Sequence, residues 1–161
     1  MKRCLCSTAL AILLFGCAAE EKSSPPPPAK AAVPAGHDVT GAYFPIDALP
    51  DDFAELDHLL LATIDENAAP APLNGFLRPK APDAKDYPLV RPSLEERRLT
   101  FETAPVAGVR YAFDGRFEML ANFPENPPAY ETVVLSGTLR RIDGGTTVAS
   151  TPVRFRYEAG G

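Results

Sequence analysis

The sequence has no tryptophan, and its three cysteines, Cys4, Cys6 and Cys17, all fall within the first seventeen residues. Beyond Cys17 a disulfide, a thiolate nucleophile and a cysteine metal site are therefore excluded, and stability must come from burial. Only two histidines occur, His37 and His58, so beyond Cys17 a zinc site with three or four His or Cys ligands is excluded. Between Ala31 and Leu77 there is no Lys or Arg, while eight acids fall there, including Asp47, Asp51, Asp52 and Asp57. The formal charge of −5 argues against nucleic acid as a partner, which rewards clustered Lys and Arg. Past the first sixteen residues no apolar run approaches the roughly 20 residues that span a bilayer as a helix.

What the chain does have begins with MKRCLCSTALAILLFG. Lys2 and Arg3 precede an apolar stretch, Cys4 to Phe15, too short to cross a bilayer and of the size expected for a removable export signal. Leu14-Phe15-Gly16-Cys17 resembles the lipobox of bacterial lipoprotein precursors. That resemblance implies cleavage after residue 16, lipid on Cys17, and a mature chain that begins there. Ala18, where Asp would favour retention at the inner membrane, implies sorting to the outer membrane of an exported, lipid-anchored protein. Two or more acyl chains hold a protein on a membrane stably, where one does so marginally. Loss of Lys2 and Arg3 takes the formal charge from −5 to −7. The resemblance covers seventeen residues and implies nothing about the domain that follows.

Residues 17–40 read as the lipidated terminus and a tether. Pro25 to Pro28 run together, and almost nothing there can build a core. At ~3.1 Å per residue such a spacer reaches up to about 60 Å. Residues 41–161 read as one β-rich domain, a common size for a single core.

Alternation dominates that domain. Arg98 to Thr103 alternates as a half-buried strand should. In Val109 to Met119, an Asp114-Gly115 hairpin would split Phe113 from Phe117. One continuous strand keeps Val109, Tyr111, Phe113, Phe117 and Met119 on one face, with Gly115 inward. The last forty residues read as a hairpin, Tyr130 to Ile142 pairing with Val148 to Glu158. Matching the buried faces sets Leu135 opposite Phe155 and Val133 opposite Tyr157, through a three- or five-residue loop or a compensating bulge. Pro152 suggests that the final strand lies at an edge, or that its amide is not needed there. A short helix near 50–57, then a strand, then a partner at Asn74 to Arg78 precede an irregular Pro79 to Pro92 and one capped turn at Ser93 to Glu96. The fold class is all-β: an antiparallel sandwich or partly closed barrel of about six or seven strands.

No catalytic signature accompanies Asp57-His58, and a satisfied structural histidine is the plainer reading. Asp47, Asp51 and Asp52 offer calcium-type oxygens without EF-hand spacing. Arg154 and Arg156 share a strand face, with Ser150 opposite Arg140, and two readings stand. Arg140, Arg154 and Arg156 form a patch for an anionic envelope partner, protein or polysaccharide, or they are a charged face that keeps an edge strand from pairing. Neither a cofactor nor an enzymatic activity is expected. The functional expectation is a lipid-anchored binding or scaffolding module. The alternative is a lipocalin-like carrier of a small apolar ligand with Tyr111, Phe113 and Phe117 lining its cavity.

Overall fold

The computed structural model describes residues 37–63 and 73–159. They form an antiparallel barrel in which each strand pairs with the next and the last returns to the first. Its strands are β1 (Gly41–Pro45), β2 (Leu56–Thr63), β3 (Leu73–Pro79), β4 (Tyr87–Glu95), β5 (Arg98–Thr103), β6 (Val109–Phe117), β7 (Leu135–Asp143) and β8 (Thr146–Glu158). An eight-stranded barrel is just wide enough for inward side chains to fill, and here closure is made by the pairing of β8 with β1. The signal segment, Cys17 and the run Pro25 to Pro28 lie outside the described residues. Asp38 to Thr40, read as the end of the tether, belong to the barrel, with Val39 fully buried.

The all-β antiparallel expectation holds, with eight strands instead of six or seven and full closure. The additional strands are β1 and β4. β4 occupies much of the proline-rich stretch read as irregular, because its prolines sit where donors are dispensable. Between Val90 and Ser93 the register with β5 shifts by one residue, so Arg91 (φ 55) and Pro92 lie in a bulge. The capped turn expected at Ser93 to Glu96 is instead the end of β4 and a tight turn through Glu96 (φ 53) into β5. The expected helix is a single 3-10 turn, Asp51–Phe53, with Phe53 buried.

β6 is continuous, as its pattern requires. Gly115 faces Gly137 of β7, and the ring of Phe113 lies over both. A Cβ at Gly115 would overlap that ring and stand 2.5 Å from the Ser136 carbonyl oxygen. Met119 departs from the expected face: it lies past the end of β6 and is 39% exposed.

The β7–β8 hairpin sets Leu135 opposite Phe155. Its loop is Gly144-Gly145, both at positive φ, as a type I′ turn demands. That two-residue loop alone would put the core face opposite the charged face. A bulge between Arg141 and Ile142 extrudes Val148 and restores the register. Val133 does not meet Tyr157. β7 begins at Leu135, Val134 is the buried residue before it, and Tyr157 pairs with Tyr43 of β1. β8 pairs with β1 only at Phe155 to Glu158, so the earlier part of the strand, which holds Pro152, has no β1 partner. Pro152 lies beyond the end of β1, so its missing amide costs nothing on that side.

The interior is a chain of rings. Phe101 stacks on Phe113 at 5.2 Å, Tyr87 meets Tyr111 edge-on at 5.0 Å, and Tyr43 bridges Phe117 and Tyr157. Phe155→Ala should cost about 3–5 kcal/mol and Gly115→Ala about 1–3 kcal/mol, by truncation and overpacking respectively. Arg154→Ala, on the exposed face, should cost no more than about 1 kcal/mol. Chemical denaturation measures all three, and equal losses at Phe155 and Arg154 would refute this register.

Candidate functional site

The chain enters the barrel at one end, and the structure clamps it there. Asp38 donates its amide to Ala121 O at 3.1 Å and accepts from the Phe123 amide at 2.9 Å. Tyr43 donates its hydroxyl to Val39 O at 2.5 Å, and Tyr157 donates to Thr40 O at 3.0 Å. Phe123, from the β6–β7 connection, is fully buried against Phe117 and Tyr157 and stops this end. A shallow, open groove of about 580 Å³ lies beside it, lined by His37, Arg97, Glu118 and Met119 among others.

The distal end is closed by a strap, residues 46–55, that connects β1 to β2. Phe53 is its stopper, buried against Tyr111. Glu55 fixes the strap to the wall: its Oε1 accepts from Tyr111 at 2.5 Å and from Tyr87 at 3.3 Å. Its carbonyl accepts the Lys80 amide at 2.8 Å. Burial, then the Glu55 carboxylate, pushes both phenols above their ordinary range. Outside the strap a groove of about 270 Å³ runs between it and β8. Phe44, Ile46, Leu49 and Leu56 give this groove apolar surface, and Asp47, Asp57, Lys80 and Arg156 give it charge. Beneath, toward the interior, sits a cavity of about 10 Å³, the space of a single water at most.

The arginines singled out in the sequence are placed separately. Arg140 lies opposite Ser150 as expected, on the outer face near Asp114. Arg154 grips Asp47 through a bidentate pair at 2.9–3.0 Å. Arg156 donates to Glu158 at 2.7 Å, and its guanidinium lies over Tyr130 at 4.5 Å and over Phe44 at 5.4 Å. Of the three, Arg156 alone lines the distal groove. Asp57 and His58 contact each other at 2.8 Å, with His58 tilted over Phe44 and buried. That is the satisfied histidine of the plainer reading. Asp47 is held by Arg154, and Asp52 stands 4.0 Å from Arg141. Among the described residues no group of three or more His, Cys, Asp or Glu is placed to share a metal ion.

Sequence reasoning missed the Glu55 tie and the groove. Tyr87 lay in a segment read as irregular, and Glu55 is 56 residues from Tyr111. No local pattern joins such partners. Tyr111, Phe113 and Phe117 do point inward, and each packs on other rings. Compared with known proteins, the chain matches no family model, no curated protein and no solved structure.

Four tyrosines carry raised pKa values, each chiefly through burial: Tyr43, Tyr87, Tyr111 and Tyr157. A raised phenol contributes stability that is complete below the unfolded value near 10 and is lost as pH climbs past it. Stability should therefore fall steeply above about pH 10. The tyrosinate absorbance of these four should rise together with loss of ellipticity. Titration of all four ahead of unfolding would contradict their burial.

Proposed function

We propose that the chain is an exported, lipid-anchored envelope protein, held through Cys17 in the outer membrane, whose barrel serves as a non-enzymatic binding or scaffolding module. One observation carries the binding-module part of this reading: the chain joins the barrel at one end, and a groove with apolar and charged lining between the strap and β8 opens at the other. A tether leaving the first end would present the second away from the bilayer. The signal segment, the lipobox-like Leu14-Phe15-Gly16-Cys17 and the proline run supply the anchor in this reading. The partner would be an envelope protein or a polysaccharide, since the charge of the chain does not suit nucleic acid.

The closed eight-stranded build also suits a carrier of a small apolar ligand, which is the second reading. Against it stands the packed interior, stopped by Phe53 and Phe123, since small-molecule sites of this kind typically offer several hundred Å³. A binding surface on the outside of the barrel needs no such space.

Two measurements test the proposal. Cys17→Ser should abolish labelling by a radioactive fatty acid and free the protein from the membrane fraction. A mutant that stays labelled and bound would refute the anchor. A photo-crosslinking residue in place of Ile46 should capture a defined envelope component in intact cells, and one in place of Glu125 at the opposite end should not. Capture from Glu125 alone would reverse the assignment of ends.

A further inference from the structure

We infer that Pro152 and the bulge at Val148 guard an open sheet edge, the earlier part of β8, against pairing with the same edge of a second copy of this chain. β1 reaches only Phe155 to Glu158 of that strand, with one further bond from the Ile46 amide to the Arg154 carbonyl. The strap then leaves β8 and crosses the mouth of the barrel, where Arg141 donates to the Asp52 carbonyl and Phe53 packs on Tyr111. Thr146 to Val153 therefore pair with β7 on one side and, among the described residues, with no backbone on the other.

Such an edge is a template for another strand, and charged side chains are a usual protection. Here there are none: no residue from Gly144 to Val153 is charged, and Val148 is 55% exposed. A two-fold axis across the edge would lay it antiparallel against itself with no charge to repel. What stands in the way is backbone. The Arg154 carbonyl turns toward β1, to the Ile46 amide, and the Phe155 carbonyl turns the other way, to the Val134 amide just before β7. Alternation then points the backbone of Ser150 and Pro152 outward with that of Arg154. Pro152 has no N–H to give there, and its carbonyl already takes the Thr151 hydroxyl at 3.2 Å. Val148 is the extra residue between the pairs Ile142–Thr147 and Arg141–Ala149, and it breaks the regular run that a second strand would follow. β4 carries the same two devices where it runs past β3. No β3 residue pairs with it beyond Pro88, and Pro92 sits in its bulge with Arg91. That edge also has the charges of Arg91 and Glu95, whereas β8 depends on its proline and its bulge.

Removing both devices from the full chain tests this. Pro152→Thr restores an N–H, and deletion of Val148 removes the bulge while leaving every other pair of the hairpin in place. Hydrogen exchange, read amide by amide, reports the edge directly. In the native chain the Ser150 amide should exchange rapidly at every concentration up to about 0.5 mM, while those of Thr151 and Val153, which face β7, stay protected. In the double variant, exchange at Ser150 should slow at least about tenfold as concentration rises over that range. Adding Ser150→Lys should make exchange at this position rapid again, since a charge now guards the edge. If the deletion unfolds the hairpin, seen as lost protection at Thr151 and Val153, Pro152→Thr alone carries the test and should slow Ser150 at least about threefold. Association through another part of the chain leaves this amide as it is. A Ser150 amide that exchanges as freely in the variants as in the native chain would overturn the inference. So would a native chain in which Ser150 is already protected as concentration rises.

Discussion

The pairing of β1 with β8 is only four residues long, from Ala42 with Glu158 to Pro45 with Phe155, yet the barrel exists because of it. Without it β1 and β8 would both be edges, and β8 would offer thirteen residues of unpaired backbone on one side. The seam is reinforced from the inside. Tyr43 and Tyr157 sit directly opposite each other with their rings 5.6 Å apart, and each hydroxyl reaches back to a carbonyl of the incoming chain. The same two side chains therefore close the sheet, fill its interior and fasten Val39 and Thr40. Joining these jobs couples the attachment point of the chain to barrel closure, so a pull on the N-terminal segment would act on the seam itself.

Closure then fixes what the interior can contain. With no cysteine beyond Cys17, no disulfide within the barrel helps to hold it, and its packing must occupy a space of fixed width. Rings solve this economically, provided that room is made for them. The Gly115–Gly137 pair makes that room, because two missing side chains on adjacent strands let Phe113 lie flat over the wall. Phe53 and Phe123 fill the two ends from connections instead of strands.

How much of this was legible in the sequence follows from the range of each interaction. Alternation fixed the inward faces of β5, β6 and β8, and matching of buried faces set Leu135 against Phe155 without knowledge of the turn. The Gly144-Gly145 loop and the Val148 bulge cancel each other, so the hairpin reached the right register by a route the residues left open. Legibility ended where prolines and long-range partners began. Pro88 and Pro92 concealed β4, because a bulge that tolerates proline cannot be read from one strand alone. β1 is five residues long and finds half its partners at the far end of the chain. The groove inherits both difficulties, since it joins β1, the strap, the residue after β3 and β8.

The outer surface divides by chemistry in a way that the closed sheet makes visible. Across β1 to β4 the outward positions run Ala42, Leu60, Phe76 and Pro88, each opposite the next. Across β5 to β8 the corresponding face carries Arg98 with Asp114, Arg110 with Glu102, and Arg154 with Asp47. Guanidinium groups are laid over rings of the apolar half: Arg78 over Phe76 within β3 at 4.6 Å, and Arg156 over Phe44 across the β8–β1 seam at 5.4 Å, each arginine held by an acid. An arginine so placed screens apolar area from water while keeping its charge hydrated, which accounts for an apolar outer row on a closed barrel. Arg156 differs from Arg78 because its ring contacts open onto the distal groove. The shielding of the wall and the charge of the groove thus meet in one side chain. Its partner Glu158 is the last residue of β8, so that side chain is held from the end of the strand that closes the sheet.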